Sequence, residues 1–380
     1  MRMFTKKVAR LRDRAREAAK VLRREAGKID EEDLFPPALL DLLWSSGMMT
    51  LWAPRELGGE SAGLPEMAVA VEELARGCGA AGLAVLLQVL GLAALVAGSK
   101  PEQTRERIAR IVDRRLTCAF ALSEPEPLPG EKAKMTTARK IKSEFHLSGK
   151  KTFVSGGREA DLVIVFAVTK PKAGLKSALT AFLVPAGTPG MLPGREMPRA
   201  GLRGLPAVEL WFEGCRVKSD SLLGKTGQGY AIAQKAMITA APLAAALACG
   251  LLMEAIDYTL AMVRERDPKA SPLSEFQPLE LTLADMAAAL DSSMALTWAA
   301  AGEVQDGIPD GERLAREAKW LATEAAANAI ESAARLFGVE GSLKGSILER
   351  LARDARACQI VLGPNHIHRI EVARKLIAGR

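Results

Sequence analysis

A chain of 380 residues that is 48% hydrophobic and 26% charged can bury two or three packed units and has the balance of an ordinary soluble globular protein. Its net charge of +7 suits either a solvated Lys/Arg surface or attraction of an anionic ligand. Nucleic acid is not expected as a partner, because the basic cluster from Lys6 to Arg24 carries no interleaved aromatics on which bases could stack.

The start of the chain is basic but has neither an apolar stretch nor a small-residue cleavage site, so no secretory signal is expected. A charged helix is predicted from Arg10 to Ala26, and Pro36-Pro37 opens a second one through Leu43. Pro54 to Gly63 reads as a loop, and Glu66 to Arg76 as an amphipathic helix. Gly79 to Gly98 is uncharged and long enough to span a bilayer. Its Gly/Ala content and Gln88 favour a buried core helix over a membrane span. Pro101 opens a further helix, with Ser99 as its expected cap.

Near Thr117 the pattern changes. Short apolar runs bounded by Gly, Pro and charge (CAFAL, EFHLSG, ADLVIVFAV, ALTAFLVPA, AVELWFEGCRV) predict a β unit over 118–226. Helical patterning returns at Tyr230, giving Tyr230 to Arg266 with Pro242 inside it, Phe276 to Gln305 and Gly311 to Phe337. Ser346 to Leu362 follows, stopped by Gly363-Pro364, and Asn365 to Ala378 can form a last helix. The division is therefore 1–117 helical, 118–226 β and 227–380 helical. The cysteines (Cys78, Cys118, Cys215, Cys249, Cys358) are scattered, with no metal spacing, and read as reduced thiols of a cytoplasmic protein. His366 and His368, two apart, would face different ways on a helix, so no metal site is expected.

Several segments share an order and spacing with a known family. LWAPRELGG, VEELARG, FALSEP, LSGKKTFVSGG, FLVPAGTPG, GLRGLP, VELWFEGCRV, LLGKTGQGY, LADMAAALD and RDARACQI together resemble the acyl-CoA dehydrogenases across nearly the whole chain. The resemblance implies an α+β fold: an N-terminal α domain, a middle β domain and a C-terminal four-helix bundle. It also implies a tetramer, FAD between the middle and C-terminal domains, and an acyl-CoA against the flavin. A Glu would take the α-proton while hydride passes to the flavin. Burial suits a carboxylate to that task by raising its pKa.

This chain departs from that pattern where the chemistry lies. Leu362 occupies the position of the usual Glu, in Val361-Leu362-Gly363-Pro364. The alternative base position, on the first long C-terminal helix, is Ala240, and the Arg expected after it is Ala241. For the flavin, the resemblance assigns Ser123 and Ser155 as hydroxyl contacts and Phe153 as the ring platform in place of a Trp. The two serines could equally satisfy backbone groups at strand ends. Pro129 replaces a phosphate-binding Ser and offers no N–H. Arg266 matches the Arg of an Arg-x-Gln-Phe-Gly element whose remaining residues are Pro268, Lys269 and Ala270. Arg335 and Val339 replace the Gln and Gly of a second contact, and Pro364 replaces a Thr.

Two readings follow. The first is a non-catalytic or altered subunit of a heteromeric FAD-dependent acyl-CoA dehydrogenase. The second is an FAD-dependent acyl-CoA oxidoreductase using a different base, with His366 the nearest titratable residue in sequence. Glu254 and Asp257 share a helix with Ala240, but residue 254 is roughly 20 Å along it, too far for direct abstraction.

Overall fold

The computed structural model describes residues 6–126, 135–171, 173–265 and 277–379. Five helices come first: α1 (Lys6–Glu32), α2 (Pro37–Ser45), α3 (Leu64–Gly77), α4 (Gly79–Gly98) and α5 (Pro101–Arg114). The first outruns its predicted bounds because its apolar stripe continues: Leu11, Ala15, Ala18, Leu22, Ala26 and Ile29 are all buried at helical spacing. Most of α4 is interior, with 83% of its most apolar window covered by protein. Its Gln88 is satisfied inside: the amide donates to the Leu116 carbonyl and accepts from the Cys118 N–H, both at 3.1 Å. Ser99 does not cap α5; its hydroxyl accepts from Arg107 at 2.6 Å instead.

The chain then forms β1 (Cys118–Ala121), β2 (Thr137–Ile141), β3 (Glu144–Ser155), β4 (Leu162–Val168), the short α6 (Leu175–Ala178), β5 (Leu179–Pro185), β6 (Met191–Met197), β7 (Ala207–Lys218) and β8 (Leu222–Leu223). They make one sheet in the order β6-β7-β3-β2-β4-β5-β8, with β1 parallel to β4. Phe145, Leu147, Val154, Val163, Val165, Phe182, Val208, Leu210 and Phe212 build its separate core. The β3–β7 register slips between Lys151 and Val154. Such a slip adds a residue on one strand and re-aims its side chains.

The C-terminal part holds α7 (Gly229–Glu265), α8 (Gln277–Gln305), α9 (Gly311–Leu336), α10 (Val339–Ser342), α11 (Ile347–Cys358) and α12 (Asn365–Ile377). Helix α7 runs on through Pro242. With α8, α9 and α11 it forms the bundle, and it also packs on α3 and α4. Helix α7 too is long and apolar enough to cross a membrane, and 78% of its apolar window is buried. Helix α11 stops at Cys358, four residues short of the predicted end.

The loop between β6 and β7 locks the three parts together. Arg353 on α11 holds Asp30 of α1 through both carboxylate oxygens (2.9 and 2.7 Å), and donates to the Ala200 carbonyl at 2.6 Å. The Leu202 N–H donates to Asp354 at 2.5 Å, with Leu202 at a positive φ of 52°. Gly201 lies directly over α11, so a Cβ built there overlaps the Arg353 carbonyl. Backbone meets backbone at this point, and neither side can rotate away. Gly201→Ala is expected to lower stability by about 1–3 kcal/mol, read as a lower urea midpoint with an unchanged slope.

Candidate functional site

The first expected base position lies in the turn between α11 and α12. The Gly363 N–H returns to the Ile360 carbonyl at 3.0 Å, closing that turn. Leu362 stands at φ +58° and Gly363 at +99°. A left-handed leucine is strained and persists only where its surroundings impose it. Two buried side chains impose it here. Lys319, on α9 and 0% exposed, donates to the carbonyls of Gln359 and Gly363 at 2.8 Å each and to Asn365 Oδ1 at 2.7 Å. Asn365 in turn donates to Thr323 at 3.1 Å and Glu324 at 3.2 Å.

His368, also buried, places Nε2 3.1 Å from the Leu362 carbonyl. Burial pushes its pKa down to about 4, with the Lys319 charge adding to the effect. Its Nε2 therefore carries the proton and donates. The carbonyls of Gln359, Leu362 and Gly363, just past the end of α11, are thus taken by side chains from α9 and α12, while the last carbonyls of the helix accept from the Gln359 and Ile360 N–H groups. Leu362 itself is half-buried against the main core and offers nothing that ionises.

The second base position is closed. Ala240 and Ala241 are 0% exposed, within a run of small buried residues through Cys249. The carboxylates further along α7 are already paired: Glu254 with Arg23 of α1 at 2.5 Å, and Asp257 with Arg76 of α3. His366 is exposed on α12, whereas His368, not His366, faces the turn.

The middle-sheet residues do come together. Thr152 N–H donates to the Ser123 carbonyl at 3.0 Å, bringing the end of β1 against the bulge in β3. Phe153 sits in that bulge at φ +53° and is 62% exposed. A large aromatic left exposed on left-handed backbone is not packed in the core of the sheet. Ser123 is exposed beside it. The Ser155 hydroxyl accepts from Arg199 at 3.3 Å and keeps its own proton free to donate.

Beneath this edge, buried Lys151 pairs with Glu124 and donates to the Leu122 carbonyl at 3.0 Å. Glu124 also accepts from the N–H and hydroxyl of Thr136, both at 3.1 Å. Burial lowers the Lys151 pKa while Glu124 opposes that shift. This pair fixes the strand that presents Phe153. It escaped the sequence reading, although both residues lie inside FALSEP and LSGKK.

The remaining expected contacts are not gathered at this edge. Arg266, Pro268, Lys269, Ala270 and Pro129 lie outside the described residues. Arg335 has a 75% exposed side chain whose nearest acid is Glu331 on its own helix, at 3.5 Å. Val339 is 74% exposed at the start of α10. No group of three or more His, Cys, Asp or Glu side chains forms a metal cage among the described residues.

Comparison with known proteins covers all three parts. The N-terminal, middle and C-terminal domain models of acyl-CoA dehydrogenase match residues 5–115, 119–215 and 227–377. Cyclohex-1-ene-1-carbonyl-CoA dehydrogenase of Geobacter metallireducens is 32% identical over 92% of each chain. Acryloyl-CoA reductase (NADH) of Anaerotignum propionicum is 33% identical over 98% of this chain and 95% of that one. The structure of butyryl-CoA dehydrogenase from Megasphaera elsdenii superposes with a TM-score of 0.92 at 26% identity, covering 98% of this chain and 99% of the other. The α+β architecture and the sequence agree on one conclusion: the chain belongs to the acyl-CoA dehydrogenase family.

Proposed function

We propose that this chain is a non-catalytic or altered subunit of an acyl-CoA dehydrogenase-type flavoprotein assembly, contributing part of a flavin site and no proton-abstracting base. The observation that carries this reading is the pair of base positions. One is an aliphatic side chain held in place by Lys319 and His368; the other is a buried alanine. Neither can take a proton at any pH.

The residues fit one half of FAD and not the other. Phe153, Ser123 and Ser155 suit the isoalloxazine edge: one apolar face and two hydroxyls. FAD bound there would supply hydride acceptance. The residues expected at its adenosine and phosphate end are Pro129, Arg335, Val339 and Pro364. Proline offers no N–H, and a β-branched side chain blocks close approach of backbone.

The fold supports an acyl-CoA-type ligand and an oligomer with an acyl-CoA dehydrogenase-type subunit, itself or another. Exposed Leu321 on α9, Ile360 in the turn, and Ile367 and Ile370 on α12 are suited to contact with such a subunit. Five buried free cysteines support a cytoplasmic setting.

Loss of a positioned base typically removes about 10²- to 10⁴-fold in rate. The purified chain is therefore expected to show no acyl-CoA dehydrogenation above background, and a weak or absent flavin absorbance when isolated alone. Turnover by the isolated chain that disappears on mutating one of its own carboxylates would refute the proposal.

A further inference from the structure

Away from the flavin edge, a cleft of about 520 Å³ opens between α5 and the ends of β4, β5 and β7. Regular secondary structure aims four cations into it. Arg107 and Arg110 are three apart and share a face of α5; Arg216 and Lys218 are two apart and share a face of β7. Arg107 is fixed by the Ser99 hydroxyl and the Asp220 carbonyl, at 2.6 Å each, and is partly desolvated.

Arg110, Arg216 and Lys218 form no ion pair among the described residues. Two carboxylates, Glu106 and Asp220, also line the cleft, so four cations face two anions. Across the sheet the neighbours are mixed: Lys218 stands directly opposite Glu144. Arg216 stands directly opposite His146, which stands opposite Arg139. Leu162, Leu183, Pro185 and Val217 give the cleft an apolar floor, and Gln103, Thr188 and Ser221 add polar groups.

We propose that this cleft binds a small phosphorylated organic molecule, with the phosphates against Arg110, Arg216 and Lys218 and the apolar part on the floor. Guanidinium groups match phosphate oxygens in pairs. The volume lies within the ordinary range for small-molecule sites, about 300–1,000 Å³. A concave, apolar-floored space favours a soluble ligand over a lipid headgroup, which needs an open surface. The inference is independent of the flavin edge and of the missing base.

Calorimetric titration of the full chain with inorganic pyrophosphate tests it. Saturable binding at one site is expected, weakened at least tenfold in Arg110→Glu and in Arg216→Glu. Both residues are exposed, so unchanged melting temperatures are expected for both variants. Lys344→Glu makes the same charge change at an exposed residue on another part of the chain and is expected to leave the affinity unchanged. Absence of saturable binding overturns the proposal, as does equal weakening by Lys344→Glu, which reports net charge alone. Sedimentation with phosphatidic acid vesicles that pyrophosphate fails to displace assigns the cations to a membrane surface and overturns it as well.

Discussion

Raising the pH from about 6 to about 8 is expected to remove stability contributed by the buried Glu72 carboxyl, and Glu72→Gln to abolish that component of the pH dependence. Glu72 lies on α3, 3% exposed, where α3 packs on α7 and α8. It accepts from the Trp298 indole N–H at 2.9 Å. Burial pushes its pKa from 4.5 up to about 8; the Trp298 hydrogen bond opposes this shift and neighbouring Glu73 adds to it. The folded carboxyl therefore keeps its proton between about 4.5 and 8, while the unfolded chain has released it. A state that binds more protons when folded loses stability as pH rises.

At roughly 1.4 kcal/mol per unit, the loss across that window is on the order of 5 kcal/mol. Glutamine imitates the neutral acid, accepting from Trp298 and unable to ionise. Asp354, raised to about 6 by burial, acts in the same direction but only up to that pH. Denaturant midpoints of wild type and Glu72→Gln should thus diverge between about pH 6 and 8, with the variant more stable at the upper end. Parallel curves would show that Glu72 is ionised in the fold.

Lys319→Met is expected to cost several kcal/mol and to release the turn that carries Leu362. Methionine keeps the unbranched apolar stem but stops one atom short, where the ammonium was, and donates nothing. It leaves the Gln359 and Gly363 carbonyls and Asn365 Oδ1 buried without the donor they share, at about 1–3 kcal/mol for each unsatisfied group. Backbone amides near Gly363 should exchange faster with deuterium, while those of the middle sheet stay protected. Burial also pushes the Lys319 pKa from 10.5 down to about 7. Between about 7 and 10.5 the unfolded chain holds a proton that the folded one has released. Stability linked to this residue therefore rises with pH across that window, and the cost of the variant grows with it. A pH-independent difference would show that Lys319 stays charged throughout.

Much of the fold could be read in the residues because its signals are local. Helical stripes, short apolar runs and turn residues are written within a few positions of one another, and ordered motifs carried the architecture. The misreadings occurred where partners distant in sequence decide. The apolar pattern after Ser346 continues to Leu362, but the helix ends at Cys358 and the residues beyond it form a turn whose carbonyls are held by Lys319 and His368. Ser99 has the chemistry of a cap, yet Arg107 claims it.

The site was legible in what it lacks. Leu362 and Ala240 stand where the family resemblance leads one to expect a carboxylate. Its supports were not legible. Lys319 sits on a helix face of buried alanines (Ala315, Ala318, Ala322, Ala326), and that incongruity was the available signal. The Glu124–Lys151 pair needed the fold of the sheet to bring its members together.

The grip of Arg353 has a consequence for how such proteins diverge. From the first helix it demands a carboxylate at Asp30; from the sheet it asks only the main-chain oxygen of Ala200. Any residue at 200 presents that oxygen, so a middle segment transplanted from a cousin would dock at this clasp as long as it kept a glycine at 201. A transplanted first helix would not, unless it brought its own acid.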